Sequence, residues 1–113
     1  MPRQAASKSL EVYHVSRKLV VACYELTHSL PAEENTNFSR YIRTAALNLH
    51  VNIAQGIFRK KKKRKKYLRG ARHALVAIDA ATEILVEVGF CTAEDVDVIS
   101  ALTASCFQLL DQC

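Results

Sequence analysis

Apolar residues return every three or four positions through four long segments of this chain, and nowhere do they alternate with polar ones over the length of a strand. That period commits the chain to helices, each of which must bury one face against another. The first segment runs from about Ser9 to Ser29, with Leu10, Tyr13, Val20, Tyr24 and Thr27 on a stripe that Val12, Leu19, Cys23 and Leu26 widen. Ser7 or Ser9 is the expected N-terminal cap, and Pro31 closes the segment. A second segment covers Glu34 or Thr36 to Phe58, with Phe38, Tyr41, Ile42, Ala45, Leu49, Asn52, Ile53 and Gly56 inward. The third begins inside a lysine-rich run and ends at Val88, where Gly89 is expected to be a left-handed terminator. The fourth follows Thr92, with Asp95 three residues on as the reciprocal partner of a capping box.

Connections this short join consecutive helices antiparallel, so the expected fold is all-α, an up-down-up-down antiparallel four-helix bundle. A chain of 113 residues has room for one domain, 1–113, with a core that needs no metal or disulfide. Residues 1–8 are expected to be a short flexible segment. No early apolar stretch reads as a signal peptide, and charges interrupt every later one before it could span a bilayer. The expected location is cytoplasmic, without a membrane partner.

The charge pattern is the strongest functional signal. Arg59, Lys60, Lys61, Lys62, Lys63, Arg64, Lys65 and Lys66 are consecutive, and with Arg69 and Arg72 they make ten of the sixteen Lys and Arg residues. From His73 onward there is no Lys or Arg, while Asp79, Glu83, Glu87, Glu94, Asp95, Asp97 and Asp111 accumulate. In an antiparallel bundle the cationic connection then lies at one end and the acidic connections at the other. Like charges at this density oppose folding, and a run at a helix N-terminus opposes the macrodipole, so it is expected to fray when no anion is bound. All ten residues are candidates for binding the phosphates of RNA or DNA. Lysines supply charge without base-reading geometry, so low sequence specificity and steep salt dependence are expected. Tyr67, the adjacent aromatic, suits a core position better than a stacking track.

Asn48, Asn52 and Gln55 are neighbours along the second helix, and Asn52 falls toward its apolar side. A buried amide must be hydrogen-bonded, so these three are expected to form a structural polar network between helices. Catalytic signals are missing: there is no glycine-rich phosphate loop, no His-Glu-x-x-His motif and no cysteine pair at zinc spacing. His14, His28, His50 and His73 are scattered; His50 and His73 across one hairpin lack an accompanying acid. No enzyme activity, metal or cofactor is called for. Cys23 and Cys106 fall in helical patterns as small core residues, whereas Cys91 and Cys113 are expected at exposed positions.

Several segments carry a family resemblance. They are Leu10-Glu11-Val12-Tyr13, Tyr24-Glu25-Leu26-Thr27, Leu30-Pro31-Ala32-Glu33-Glu34, Tyr41-Ile42-Arg43-Thr44-Ala45-Ala46 and, above all, Val51-Asn52-Ile53-Ala54-Gln55-Gly56 followed by Arg59. Together they resemble the small four-helix-bundle proteins encoded in intervening sequences of bacterial 23S ribosomal RNA genes. The accessory variability determinant proteins of diversity-generating retroelements are relatives of that family. Two positions depart from its pattern: Gln55 stands where an acid is usual, and Thr44 where a second arginine is usual. The almost purely cationic connection favours the retroelement branch. That resemblance implies a homo-oligomer, a pentameric ring, that binds a reverse transcriptase and nucleic acid. The other function class is an oligomeric protein-interaction scaffold with no nucleic-acid role.

Overall fold

The computed structural model describes the backbone from Pro2 to Cys113 and side chains from Ser7 onward. Four helices carry the fold: α1 (Pro2–His28), α2 (Phe38–Gly56), α3 (Lys61–Glu87) and α4 (Asp97–Asp111). Short 3-10 turns, Ala32–Glu34 and Glu94–Val96, lead into α2 and α4. Each helix packs on its neighbours in a closed cycle; α2 against α3 is the broadest seam and α3 against α4 the thinnest. The result is the expected antiparallel four-helix bundle, 46 × 24 × 18 Å in extent.

The core follows the periodic stripes. Val12, Leu19, Ile42, Leu49, Ile53, Leu75, Ile78 and Leu85 are wholly buried, joined by Ala45, Ala46, Ala71 and Ala74, which let the helix axes approach. Two helix boundaries show their local chemistry in full. At the end of α3, Gly89 takes a φ of 86°, its N–H donates to Val86 O (3.1 Å), and the Phe90 N–H donates to Leu85 O (3.0 Å). This pair of bonds satisfies two of the orphan carbonyls of the last turn. Before α4, the Thr92 N–H donates to Asp95 Oδ2 (2.9 Å) and the Asp95 N–H to Thr92 Oγ1 (3.1 Å), the reciprocal box expected of that pair.

Other boundaries differ from the sequence reading. Helix α1 begins at Pro2, seven residues ahead of Ser9, because proline is at ease in a first helical turn and Ala5 and Ala6 are strong helix formers. Ser9 is consequently buried in mid-helix and caps nothing. Helix α2 starts later than expected, at Phe38, because Ala32–Glu34 form their own 3-10 turn. It ends at Gly56, where a Cβ would lie 2.9 Å from Tyr67 Cβ and 3.1 Å from Leu68 Cδ2. Only a residue without a side chain lets α2 and α3 close there. Tyr67 is accordingly half-buried against α2 rather than presented as a stacking platform.

The interhelical amide network is corrected by the structure. Asn48 and Gln55 are exposed, and the half-buried Asn52 donates through Nδ2 to Asn48 O (2.8 Å), one turn back in its own helix. The helix's rotation places Asn52 at the rim of the α2–α3 seam, where water reaches it. Its amide lies over Gly70, whose missing Cβ would be 3.0 Å from Oδ1. Asn52 is therefore a space-filler paired with a glycine notch. Asn52→Ala should change stability by less than about 1 kcal/mol, below the 1–3 kcal/mol of an orphaned buried partner. Gly70→Ala should be close to neutral alone, helix propensity offsetting the crowding, and stabilising by about 0.5–1 kcal/mol when Asn52 is also alanine. Additive urea-unfolding energies across that cycle would exclude the coupling.

Polar ties instead cross between α1 and α2. Arg43 Nε donates to Thr27 Oγ1 (2.7 Å) while its guanidinium lies 4.8 Å from the centre of the Tyr24 ring. Ser16 Oγ sits 2.7 Å from His50 Nδ1, and the His50 ring lies 4.8 Å from that of Tyr13. Burial, with Arg17 nearby, holds His50 below its ordinary pKa. Cys23 and Cys106 are buried as expected, and burial pushes both thiols up to about 12. Cys91, expected to be exposed, is buried against the core, and burial with the nearby Asp95 raises its pKa as well. Because these thiols ionise more readily unfolded than folded, stability should be insensitive to them below their ordinary pKa of 9.0. It should then fall as pH rises beyond that value. Native protein at pH 8 should react with a thiol reagent first at Cys113, the half-buried one. Equal labelling of all four without denaturant would contradict this burial.

Candidate nucleic-acid interface

The cationic run is divided by helix geometry into residues with different tasks. Four residues, Ile57 to Lys60, separate α2 from α3, and the helix resumes at Lys61 with a φ of 45°. A lysine in this left-handed region is under strain, located within the run itself. From Lys61 on, the block is continuous helix rather than frayed, since lysine is a good helix former and one of its members is anchored.

That member is Arg64. Its Nη1 donates to Ile57 O (2.7 Å) and Gly56 O (3.4 Å), so the guanidinium caps the carbonyl end of α2. Its Nη2 donates to Ser9 Oγ (3.0 Å) on α1 and Cys113 O (3.3 Å) beyond α4. One planar fork thus joins all four helices at the basic end, which the single ammonium of lysine could not do. The cationic run makes Arg64 a candidate phosphate ligand; the structure makes it an internal clamp instead. A signal for this existed: Arg64 precedes Leu68 and Ala71 by four and seven positions, which places it on the inward face of α3.

The other candidates remain on the surface. Lys60, Lys61, Lys62, Lys63, Lys65, Lys66 and Arg69 are exposed. Lys62, Lys65, Lys66 and Arg69 follow the i, i+3, i+4, i+7 spacing of one helix face, so they form a ridge of charge. Arg59 is exposed too, and its Nε donates to Gln55 O (3.3 Å). Arg72 is half-buried and its Nη2 lies 3.1 Å from Asp111 Oδ1 on α4. Nothing in the order of residues aligns the end of α4 with this part of α3, so only the fold reveals Asp111 as the partner of Arg72.

Between these two helices opens a cleft of about 580 Å³, with Lys61, Lys65, Arg69 and Arg72 along one wall and Leu68 and Leu110 at its floor. The arrangement can hold phosphate oxygens by charge-assisted contacts. Among the described residues, no group of three or more His, Cys, Asp or Glu is placed to hold a metal ion; His50 is committed to Ser16. No helix among them is long and apolar enough to cross a membrane.

No curated protein matches the chain. The model of one family, the 23S rRNA-intervening sequence proteins, matches residues 8–112, which takes in the last twenty-one residues of α1, all of α2, α3 and α4 and the cationic connection. With the bundle formed and the match running almost end to end, the chain belongs to the 23S rRNA-intervening sequence protein family.

Proposed function

We propose that this protein is a non-catalytic, nucleic-acid-binding accessory subunit of a diversity-generating retroelement reverse transcriptase, acting in the cytoplasm. The observation that carries the reading is the exposed ridge on α3, where lysines and Arg69 crowd one end of a bundle whose other end is acidic. A specific protein interface is depleted in lysine at its centre, whereas a phosphate backbone is matched by such density. The subunit would hold template RNA or complementary DNA beside the polymerase, which performs the chemistry.

Assembly as a homo-oligomer, a pentamer by family resemblance, is part of the proposal. Leu47 and Val51 on the outer face of α2, and Phe58 two residues beyond its end, are exposed, Phe58 by 78%. Packing between copies would remove that apolar surface from water. Sedimentation equilibrium at micromolar concentration should give a multiple of the 12.6 kDa chain, and a monomer would refute the oligomer.

The same apolar stripe is what favours the second reading, an oligomeric scaffold whose basic end docks an acidic protein. Affinity capture from native cells, with mass spectrometry and nucleic-acid sequencing before and after nuclease, separates the two. Recovery of a reverse transcriptase with its template RNA supports the accessory subunit. An acidic protein partner retained undiminished after nuclease, with no nucleic acid recovered, replaces it by the scaffold.

A further inference from the structure

The groove between α3 and α4 reverses its charge along its length. At the end beside the chain's basic connection, Lys61, Lys65, Arg69 and Arg72 face the cleft over a span of about 16 Å at the helical rise of 1.5 Å per residue. Lys62, Lys63 and Lys66 do not line it, so the ridge has two flanks: a cleft file that includes Lys65 and Arg69, and an outer file that includes Lys62 and Lys66. Further along the same groove, Asp79, Glu83 and Glu87 line a second recess with Val96 and Ser100. The change from cation to acid takes place between Arg72 and Asp79, two helical turns.

A polyanion lying on the outer file meets no such barrier near its lysines, but one entering the groove meets like charge after a few phosphates. The cleft therefore suits a strand that ends there. An ending strand with a phosphate monoester brings close to two negative charges on one group, against one for an internal diester. The resident group in that position supports this: the Asp111 carboxylate already rests on Arg72 at 3.1 Å, yet its own side chain is 73% exposed and makes no other hydrogen bond among the described residues. It is an anion that a more highly charged one can displace.

We propose that the α3–α4 cleft is a subsite for the phosphorylated terminus of a nucleic-acid strand, with Asp111 as its internal competitor. The proposal rests on the nucleic-acid reading above and adds to it a preference for ends. The phosphate is received by Lys65, Arg69 and Arg72, and the terminal nucleotide lies toward Leu68 and Leu110. Asp111 discourages monoanionic diesters from occupying Arg72 and yields to the dianion.

The test compares one single-stranded oligonucleotide in four forms, 5′-phosphorylated, 3′-phosphorylated, unphosphorylated and circular, by fluorescence anisotropy with an internal label. One of the phosphorylated forms should bind roughly five- to tenfold more tightly than the unphosphorylated and circular forms. Lys65→Gln and Arg72→Gln should each collapse that ratio toward one, whereas Lys62→Gln and Lys66→Gln should weaken all four forms alike. Asp111→Asn should tighten binding of all ends more than Asp79→Asn, which removes the same charge elsewhere on the groove. Equal binding of all four forms by the wild type would overturn the subsite while leaving the nucleic-acid reading intact. Absence of binding to any of them would overturn both. Displacement of the phosphorylated strand by an equal concentration of nucleoside 5′-monophosphate would assign the cleft to free nucleotides and overturn the strand-end assignment.

Discussion

Arg64→Ala should destabilise the bundle by about 2–3 kcal/mol, the range expected when charge-assisted hydrogen bonds to partly buried carbonyls are lost together. Ile57 O, Ser9 Oγ and Cys113 O lose the guanidinium at once, and Gly56 O keeps only the Arg59 N–H (3.0 Å). For a domain of this size the melting temperature should fall by roughly 10 °C. Arg64→Lys should recover only part of the loss, because a single ammonium cannot reach carbonyls of α2 and partners on α1 and α4 together. Lys62→Ala, two residues away and exposed, should stay within about 0.5 kcal/mol of wild type. Calorimetry of the three variants checks this. A melting temperature for Arg64→Ala indistinguishable from that of Lys62→Ala would return Arg64 to the surface.

Binding to nucleic acid should be lost when Lys60, Lys61, Lys62, Lys63, Lys65 and Lys66 are replaced by alternating Ser and Gln, with Arg64 left in place. Sparing Arg64 is what the tertiary structure adds to this design, since a block replacement that included it would confound lost charge with lost fold. If the wild type neutralises about five phosphates on duplex DNA, the logarithm of its association constant should fall with the logarithm of salt at a slope of about −4 to −5. Sequence should matter little, because the contacts are to phosphate rather than to base edges. Electrophoretic or anisotropy titrations at several salt concentrations test both statements, with circular dichroism to show that the replaced protein is still helical. A folded variant that binds as tightly as wild type would falsify the role of the ridge.

Removing the notch at the α2–α3 turn should be felt as well. Gly56→Ala would bring a Cβ to 2.9 Å from Tyr67 Cβ, an atom fixed to the α3 backbone, so the helices rather than a side chain must move. A cost of about 1–3 kcal/mol is expected, measurable by urea unfolding.

What could be read from residue order was whatever depends on neighbours within about one helical turn. The helix stripes, the Gly89 terminator and the Thr92–Asp95 box are of that kind, because their partners are three to five positions apart and their geometry is fixed by the helix itself. The charge asymmetry was equally legible, since electrostatic repulsion and attraction depend on composition and spacing over short distances. The polar positions were not. Whether Asn52 faces a helix or water depends on the rotation of α2 against α3, which the Gly56 and Gly70 notches set through side-chain packing across the seam. Whether Arg64 and Arg72 are ligands or partners depends on which atoms the last turn of α4 brings to them, Cys113 O in one case and Asp111 in the other, 49 and 39 residues away in sequence. The sequence by itself determined four helices, their inward faces and a basic end opposite an acidic one, because short-range periodicity and charge suffice for these. Only the tertiary structure decided which cations remain free for a phosphate, because a guanidinium's partners are chosen by close packing between helices that are distant in the chain.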